Sequence, residues 1–594
     1  MRILQKDQEL RHGALALNEN DYVISQVKVV NVLSKEIISA NVYVKGQHIS
    51  FVDYVKQPIP EDLRVVDGQD DYLLPGFIDT HMHIESTMLT PQGFADLVAP
   101  MGTTTVICDP HEIANVFGKK GVLYMAESND QLPMRQLIDV PSCVPSVEGL
   151  EQSGATFHAE EIEELLQLDQ VVGLAEVMDY EGVITGKQRM SEIVQTVANA
   201  GYYIQGHCPL VSGKRLAAYR IGGAISDHEA TSISEIAEKI RNGFYIDIRE
   251  SNTSRKLETF VQAIKDWSCL DRFTFCTDDR RTNVILREGH INGMVRKAIA
   301  NGLSPLDAIS FATINAAREA NIEDLGAIAP GYIADMLLVS DLKEMLPSKV
   351  FFQGKLVAQT GKLLKKRQKK KHALENEQSI DVPKLEAEDF LIAVPECCRN
   401  DKSIEMNIMA YESYVSSFTL LEKERFAIEN GYICLEKRPD LMYAIVINRH
   451  GRKNFYVCVV KRFGIDHGAL ASSVSHDSHN IVIVYDAPTQ AMKALNQLVK
   501  QHGGMVAVEE EKIIATLPLP VAGLMTDIAP EKLVEQIDQM NASNRQLGNH
   551  FLENPISRIT ILSLLVSPYV KLSDLGLVDT ETQALIPRFP NLDK

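Results

Sequence analysis

PGFIDTHMHIE, residues 75–85, follows the apolar pair Leu73 and Leu74 and runs from Phe77 and Ile78 into Asp79 and a His-x-His pair, His81 and His83. In an extended strand, side chains two apart point the same way, so both imidazoles can reach one ion. Imidazole is the commonest metal-binding side chain, and such an ion needs two or three further ligands from elsewhere in the fold.

Working outward, residues 76–324 alternate strand-like with helix-like runs, the pattern of βαβ units. The strand candidates are GFIDTH, TTTVICDP, QLIDVPSCV, VVGLAEVM, YYIQGH, GAISDH, FYIDIRE and RFTFCTDD. That number of strands in this length predicts a TIM-like (β/α)8 barrel, whose active site collects at the C-terminal strand ends. The runs end in His81 and His83, in Asp109 and His111, in Glu176, in His207, in His228, and in Asp278 with Asp279. Four histidines, a glutamate and an aspartate suffice for two divalent ions. One would take His81, His83 and Asp278, the other His207 and His228, with Glu176 bridging. A paired site lets a bridging water ionise near neutral pH, and Asp278 would receive its proton and pass it to a leaving group. Nitrogen and oxygen donors without thiolate suit Mn2+, Fe2+ or Zn2+.

Strand-like segments also flank this region, at residues 22–75 and 326–361, and the expectation is a small β-domain built from 1–75 plus 325–365 around a barrel of 76–324. The basic run Lys365–His372 reads as part of a solvated linker, 366–379, ahead of a C-terminal α/β (α+β) domain, 380–594. There, SSVSHDSHN reads as a strand-end turn with hydrogen-bonded histidines, or as a segment placing His476 and His479 over the barrel mouth.

The 594 residues exceed one core. With 79 acidic against 60 basic residues the net charge is -19, which disfavours nucleic acid or an anionic membrane as partner. The first residues, MRILQKDQELRHG, fit neither a secretory signal nor a membrane anchor. Nine scattered cysteines without a CxxC motif point to a reducing, cytoplasmic compartment. No glycine-rich phosphate loop is present, so a nucleotide cofactor is not indicated.

PGFIDTHMHIEST, GTTTVICDPHEIANVFG, GLAEVM, SDHEATS, FCTDD, DLGAIAPGYIADM, KRFGIDHGALASSVSHDSHNIVIV and LPLPVAGLMTD together resemble the bacterial adenine deaminases of the amidohydrolase superfamily. The likeness spans nearly the whole chain, including an adenine deaminase-type C-terminal domain. It implies hydrolysis of adenine to hypoxanthine and ammonia, as part of purine metabolism, by a hydroxide activated at a binuclear centre. It also implies manganese first, with iron or zinc as alternatives, a bridging glutamate, and a homo-oligomer, expected as a dimer, whose substrate is a small purine base. Asp279 could then contact the purine ring, and Glu229 or His111 could supply a proton. Arg281 stands where the family usually has a histidine, so two other readings stay open. One is an amidohydrolase acting on another purine-like base or a cyclic amide, and the other is a weakly active metal-binding paralogue.

Overall fold

A computed structural model of the chain describes residues 8–129, 132–252, 254–365, 374, 377–435 and 438–590. Most of the basic run expected as a linker, 366–372, lies outside the described residues.

Alternating β-branched segments near the start form β1 (Tyr22–Asn31), β2 (Glu36–Lys45), β3 (His48–Asp53), β4 (Val65–Asp67) and β5 (Tyr72–Pro75). The chain then enters eight strands separated by helices: β6 (Phe77–Met82), β7 (Thr103–Cys108), β8 (Arg135–Val140), β9 (Val171–Val177), β10 (Tyr203–Gly206), β11 (Ser226–Asp227), β12 (Tyr245–Arg249) and β13 (Phe273–Cys276). β6 to β10 pair in parallel, as do β11 to β13. Between β10 and β11, Ile225 N donates to Ile204 O at 2.9 Å. At the closing seam Asp278 N donates to His81 O at 3.0 Å, and Met82 bridges Asp278 in parallel. The strands thus curl into a barrel in chain order. Every residue of β6 and β7 is buried, because helices cover the outside while side chains fill the inside.

After the barrel, β14 (Met336–Val339), β15 (Pro347–Phe352), β16 (Lys355–Gln359) and β17 (Lys362–Leu363) return to the first sheet, where β14 pairs antiparallel with β5. Since β5 leads straight into β6, this sheet anchors the strand that carries the His-x-His pair.

The C-terminal region builds a second sheet from β18 (Ser403–Tyr411), β19 (Thr419–Glu429), β20 (Tyr432–Cys434), β21 (Leu441–Ile447), β22 (Phe455–Lys461), β23 (Ala469–Ser472), β24 (Ile481–Tyr485), β25 (Gly504–Glu509) and β26 (Lys512–Pro518). Among the described residues the order is 20-19-18-22-21-24-23-25-26. Its core strands, such as LMYAIVI in β21, are buried throughout, as is expected of a sheet covered on both faces. The β23–β24 loop carries SSVSHDSHN, and it descends onto the helix His111–Phe117 that follows β7. Among the described residues no helix is long and apolar enough to cross a membrane.

Candidate metal centre

His81 and His83 sit at and just past the end of β6, and Glu176 lies on β9. His207 follows β10, His228 follows β11, and Asp278 follows β13. Successive strand ends of a parallel barrel face one mouth, so residues far apart in sequence converge. His81, His83 and Asp278 bring ligand atoms within 4.8 Å of one another, as do His81, Glu176 and His228.

The two oxygens of Glu176 face different histidines. Oε1 lies 3.7 Å from His81 Nε2 and 3.4 Å from His83 Nε2. Oε2 lies 2.6 Å from His207 Nδ1 and 3.2 Å from His228 Nε2. Asp278 Oδ1 is 3.2 Å from His83 Nε2 and 3.8 Å from His81 Nε2. Asp278 adopts a left-handed φ of 52°, a conformation costly for a non-glycine residue that clusters at functional sites.

Neighbouring groups fix which imidazole nitrogen looks inward. Gln205 Nε2 donates to Thr80 O at 2.7 Å, which turns its Oε1 toward His81 Nδ1 at 2.9 Å. His83 Nδ1 donates to Asp109 O at 3.0 Å. Both rings therefore carry their proton on Nδ1 and offer the Nε2 lone pair to the cluster. His81 Nε2 is buried and, among the described residues, has no hydrogen-bond partner. Lone pairs so aimed, beside two carboxylates and two further imidazoles, form a donor set that fits divalent cations.

Charge at the site is organised by Arg249 at the end of β12. Its guanidinium contacts both oxygens of Glu229 and, through Nη1 at 2.6 Å, Asp278 Oδ2. Burial alone would raise the Asp278 carboxyl, but the Arg249 guanidinium beside it holds it well below the usual range. Glu176 is likewise buried, yet the hydrogen bond with His207 and the imidazoles around it hold it well below the ordinary carboxylate value. Asp279 is pushed up, first by burial and then by Asp278, and it accepts from Ser86 Oγ at 2.5 Å.

The other expected residues lie beside the ligand cluster, with His111 Nδ1 3.9 Å from Glu176 Oε1. Glu229 Oε1 is 3.8 Å from His228 Nε2 and 3.9 Å from His207 Nδ1, with both its oxygens engaged by Arg249. His111 Nδ1 donates to Asp109 Oδ2 at 2.9 Å, and its Nε2 approaches Asp477 Oδ1 of the C-terminal sheet at 3.6 Å. Arg281 sits beside the cluster, and its Nη1 donates to Ser557 Oγ at 2.6 Å. That departure from the usual histidine thus packs against the C-terminal part of the chain.

Sequence reading missed Arg249 and Gln205. Both carried a signal: Arg249 lies in the seventh strand run, FYIDIRE, to which no site residue was assigned, and Gln205 lies two residues before His207 on the same strand face. The contacts of Glu112 with His476 and His479 join residues more than 360 positions apart, and no spacing rule reaches that far.

Two family models match the chain, the Amidohydrolase family over residues 72–357 and the Adenine deaminase C-terminal domain over residues 416–584. The chain is 35% identical over 571 residues to an adenine deaminase of Clostridium acetobutylicum, covering 95% of this chain and 97% of that protein. It is 35% identical over 579 residues to an adenine deaminase of Petrotoga mobilis, covering 96% and 98%. A third adenine deaminase, from Staphylothermus marinus, is 34% identical over 583 residues, covering 96% and 95%.

Proposed function

The chain belongs to the adenine deaminase family of amidohydrolases, and from that premise we propose that it hydrolyses adenine to hypoxanthine and ammonia. The observation that carries the reading is the match to the adenine deaminase C-terminal domain, added to an amidohydrolase barrel. It separates this chain from amidohydrolases that share the barrel alone.

Two divalent ions would be held by His81, His83 and Asp278 and by His207 and His228, with Glu176 between them; we assign Mn2+ as the native ion, with Fe2+ or Zn2+ as alternatives. When bound, such ions supply Lewis acidity that makes water nucleophilic near neutral pH. The chain's own residues handle the proton. Asp278 accepts it from water and returns it to the departing amine. Arg249, shared between Asp278 and Glu229, keeps a carboxylate partner while Asp278 is protonated. Asp279, next in sequence and held by Ser86, is placed to accept a hydrogen bond from the purine ring. Glu229 and His111 are the neighbouring groups that can relay a proton outward, His111 being oriented by Asp109. We place the protein in the cytoplasm, in purine salvage, as a homodimer.

The test is ammonia release from adenine by protein purified with Mn2+ under reducing conditions, against a chelated control. Metal-dependent release with hypoxanthine as co-product is expected. Protein that holds its ions yet releases no ammonia would overturn the reading.

A further inference from the structure

Glu229 occupies a place from which it could ligate an ion, and the structure holds it back. It directly follows His228 in sequence, and its Oε1 lies 3.8 Å from His228 Nε2 and 3.9 Å from His207 Nδ1. The ligand atoms of His207, His228 and Glu229 all fall within 4.8 Å of one another. Donors bound to one ion at about 2.0–2.2 Å sit roughly 3–4 Å apart, so both separations suit a shared ion. Glu176 Oε2 approaches the same two nitrogens at 2.6 Å and 3.2 Å. Two carboxylates therefore compete for one pair of imidazoles.

What tells them apart is Arg249. Its Nη1 contacts Glu229 Oε1 and its Nη2 donates to Glu229 Oε2 at 2.9 Å, the paired geometry in which a planar guanidinium grips a carboxylate. Both oxygens of Glu229 are engaged in this way. Glu176 differs, because among the described residues it pairs with no lysine or arginine and its oxygens face histidines alone. Arg249 is itself anchored, since the same Nη1 donates to Asp278 Oδ2 at 2.6 Å while Asp278 Oδ1 faces His83 Nε2 at 3.2 Å. The guanidinium thus ties the ends of β11, β12 and β13 together. For Glu229 to turn to the histidines, both of its bonds to Arg249 must break.

Resting on the metal assignment above, we propose that Arg249 is a positioning residue that holds Glu229 out of the coordination shell of the His207–His228 ion, so that one position on that ion stays open to water and substrate. A catalytic ion needs such a position, and a further carboxylate would fill it. The carboxylates left to face the centre are then Glu176 and Asp278, while the charge of Glu229 is answered by the arginine. A lysine could not do the same, because a compact ammonium cannot grip both oxygens of Glu229 in the plane of one fork and still reach Asp278.

The test is a double-mutant cycle on metal affinity. Competition of the Mn2+-loaded protein against a calibrated chelator gives the affinity, with metal counted by mass spectrometry and folding followed by circular dichroism. Glu229→Gln is expected to cost at least about tenfold more affinity in the Arg249→Met background than in the wild-type background, because only there does Glu229 ligate. The effect of freeing Asp278 Oδ2 is common to Arg249→Met and the double variant, so it cancels. A crystal structure of Zn2+-loaded Arg249→Met should place a Glu229 oxygen about 2.0–2.2 Å from an ion. Arg249→Gln, whose one amide cannot hold both oxygens of Glu229, is read in the same way if Arg249→Met fails to fold. A cost of Glu229→Gln that agrees within about twofold in the two backgrounds overturns the proposal, and so does a loaded variant in which Glu229 stays away from both ions. A wild-type protein that binds metal but releases no ammonia from adenine leaves the proposal standing and sinks the deaminase reading, whereas one that binds no divalent ion overturns both.

Discussion

Gln205 offers a measurement of how far the centre depends on one imidazole's protonation. Its Oε1 accepts from His81 Nδ1 at 2.9 Å and its Nε2 donates to Thr80 O at 2.7 Å, all within the buried barrel. Gln205→Leu keeps approximate volume but removes both partners. His81 then has a buried N–H with no acceptor, an imbalance worth roughly 1–3 kcal/mol. The ring can relieve it by moving its proton to Nε2, the nitrogen aimed at Glu176 and Asp278, and that abolishes the ligand lone pair. Either way metal binding bears the cost, and groups that orient a ligating histidine typically contribute about ten- to a hundredfold in affinity. The assay is competition of the holoenzyme against a calibrated Mn2+ chelator, with metal counted by mass spectrometry and folding followed by circular dichroism. Affinity for Mn2+ should fall by about ten- to a hundredfold while the far-ultraviolet spectrum is unchanged. Gln205→Glu, which retains an acceptor for His81 Nδ1, should bind metal better than Gln205→Leu. Affinity within twofold of wild type in the leucine variant would refute the assignment of His81 Nε2 as a ligand atom.

Other perturbations test separate parts of the reading. Glu176→Gln should lower both bound metal and rate, because each carboxylate oxygen faces a different pair of histidines; unchanged metal stoichiometry would argue against a bridging role. Asp278→Asn should reduce turnover by about 10²- to 10⁴-fold, the usual worth of a general acid–base group, and near-normal rates would remove Asp278 from proton transfer. Lys239 is fully buried with Nζ 2.7 Å from Asp227 Oδ2, 2.7 Å from Glu235 Oε1 and 2.9 Å from Cys208 O. Lys239→Met strands two carboxylates beneath the His228 strand end and should cost about 3–5 kcal/mol by urea denaturation; a loss below about 1 kcal/mol, the worth of an exposed pair, would contradict that. Lys571 is buried and, among the described residues, has no carboxylate partner, and burial, then Arg558, pushes its amine down to about 7. The unfolded chain keeps that proton up to about pH 10, so the unfolded state binds more protons between the two values and stability rises with pH across that window. Lys571→Met should flatten the rise and raise the melting temperature at pH 7, and a melting temperature that drops there would show a partner for the amine.

Much of this architecture was legible in order. Each of the eight strand runs appears where alternation and apolar blocks put it, because a strand's period is set by neighbours in sequence and survives any tertiary context. The ends of those runs were legible for the same reason: a parallel barrel turns sequential strand ends toward one mouth, so His81, His83, Glu176, His207, His228 and Asp278 needed only their positions to be gathered. Helix and strand boundaries in the C-terminal sheet were read only coarsely, since its order crosses the chain repeatedly.

The protonation and pairing of those same residues belonged to the tertiary structure. Whether His81 offers Nε2 depends on Gln205 and Thr80, and whether His479 can ligate depends on one backbone N–H four residues earlier. The salt bridges of Arg249 join β12 to β11 and β13, and Glu112 reaches across from barrel to C-terminal sheet. Sequence alone determined the fold class and the residues that line one barrel mouth, because both follow from short-range periodicity and chain order. Only the tertiary structure decided which atom of each side chain faces the centre, because a hydrogen bond is fixed within tenths of an ångström by partners hundreds of residues away.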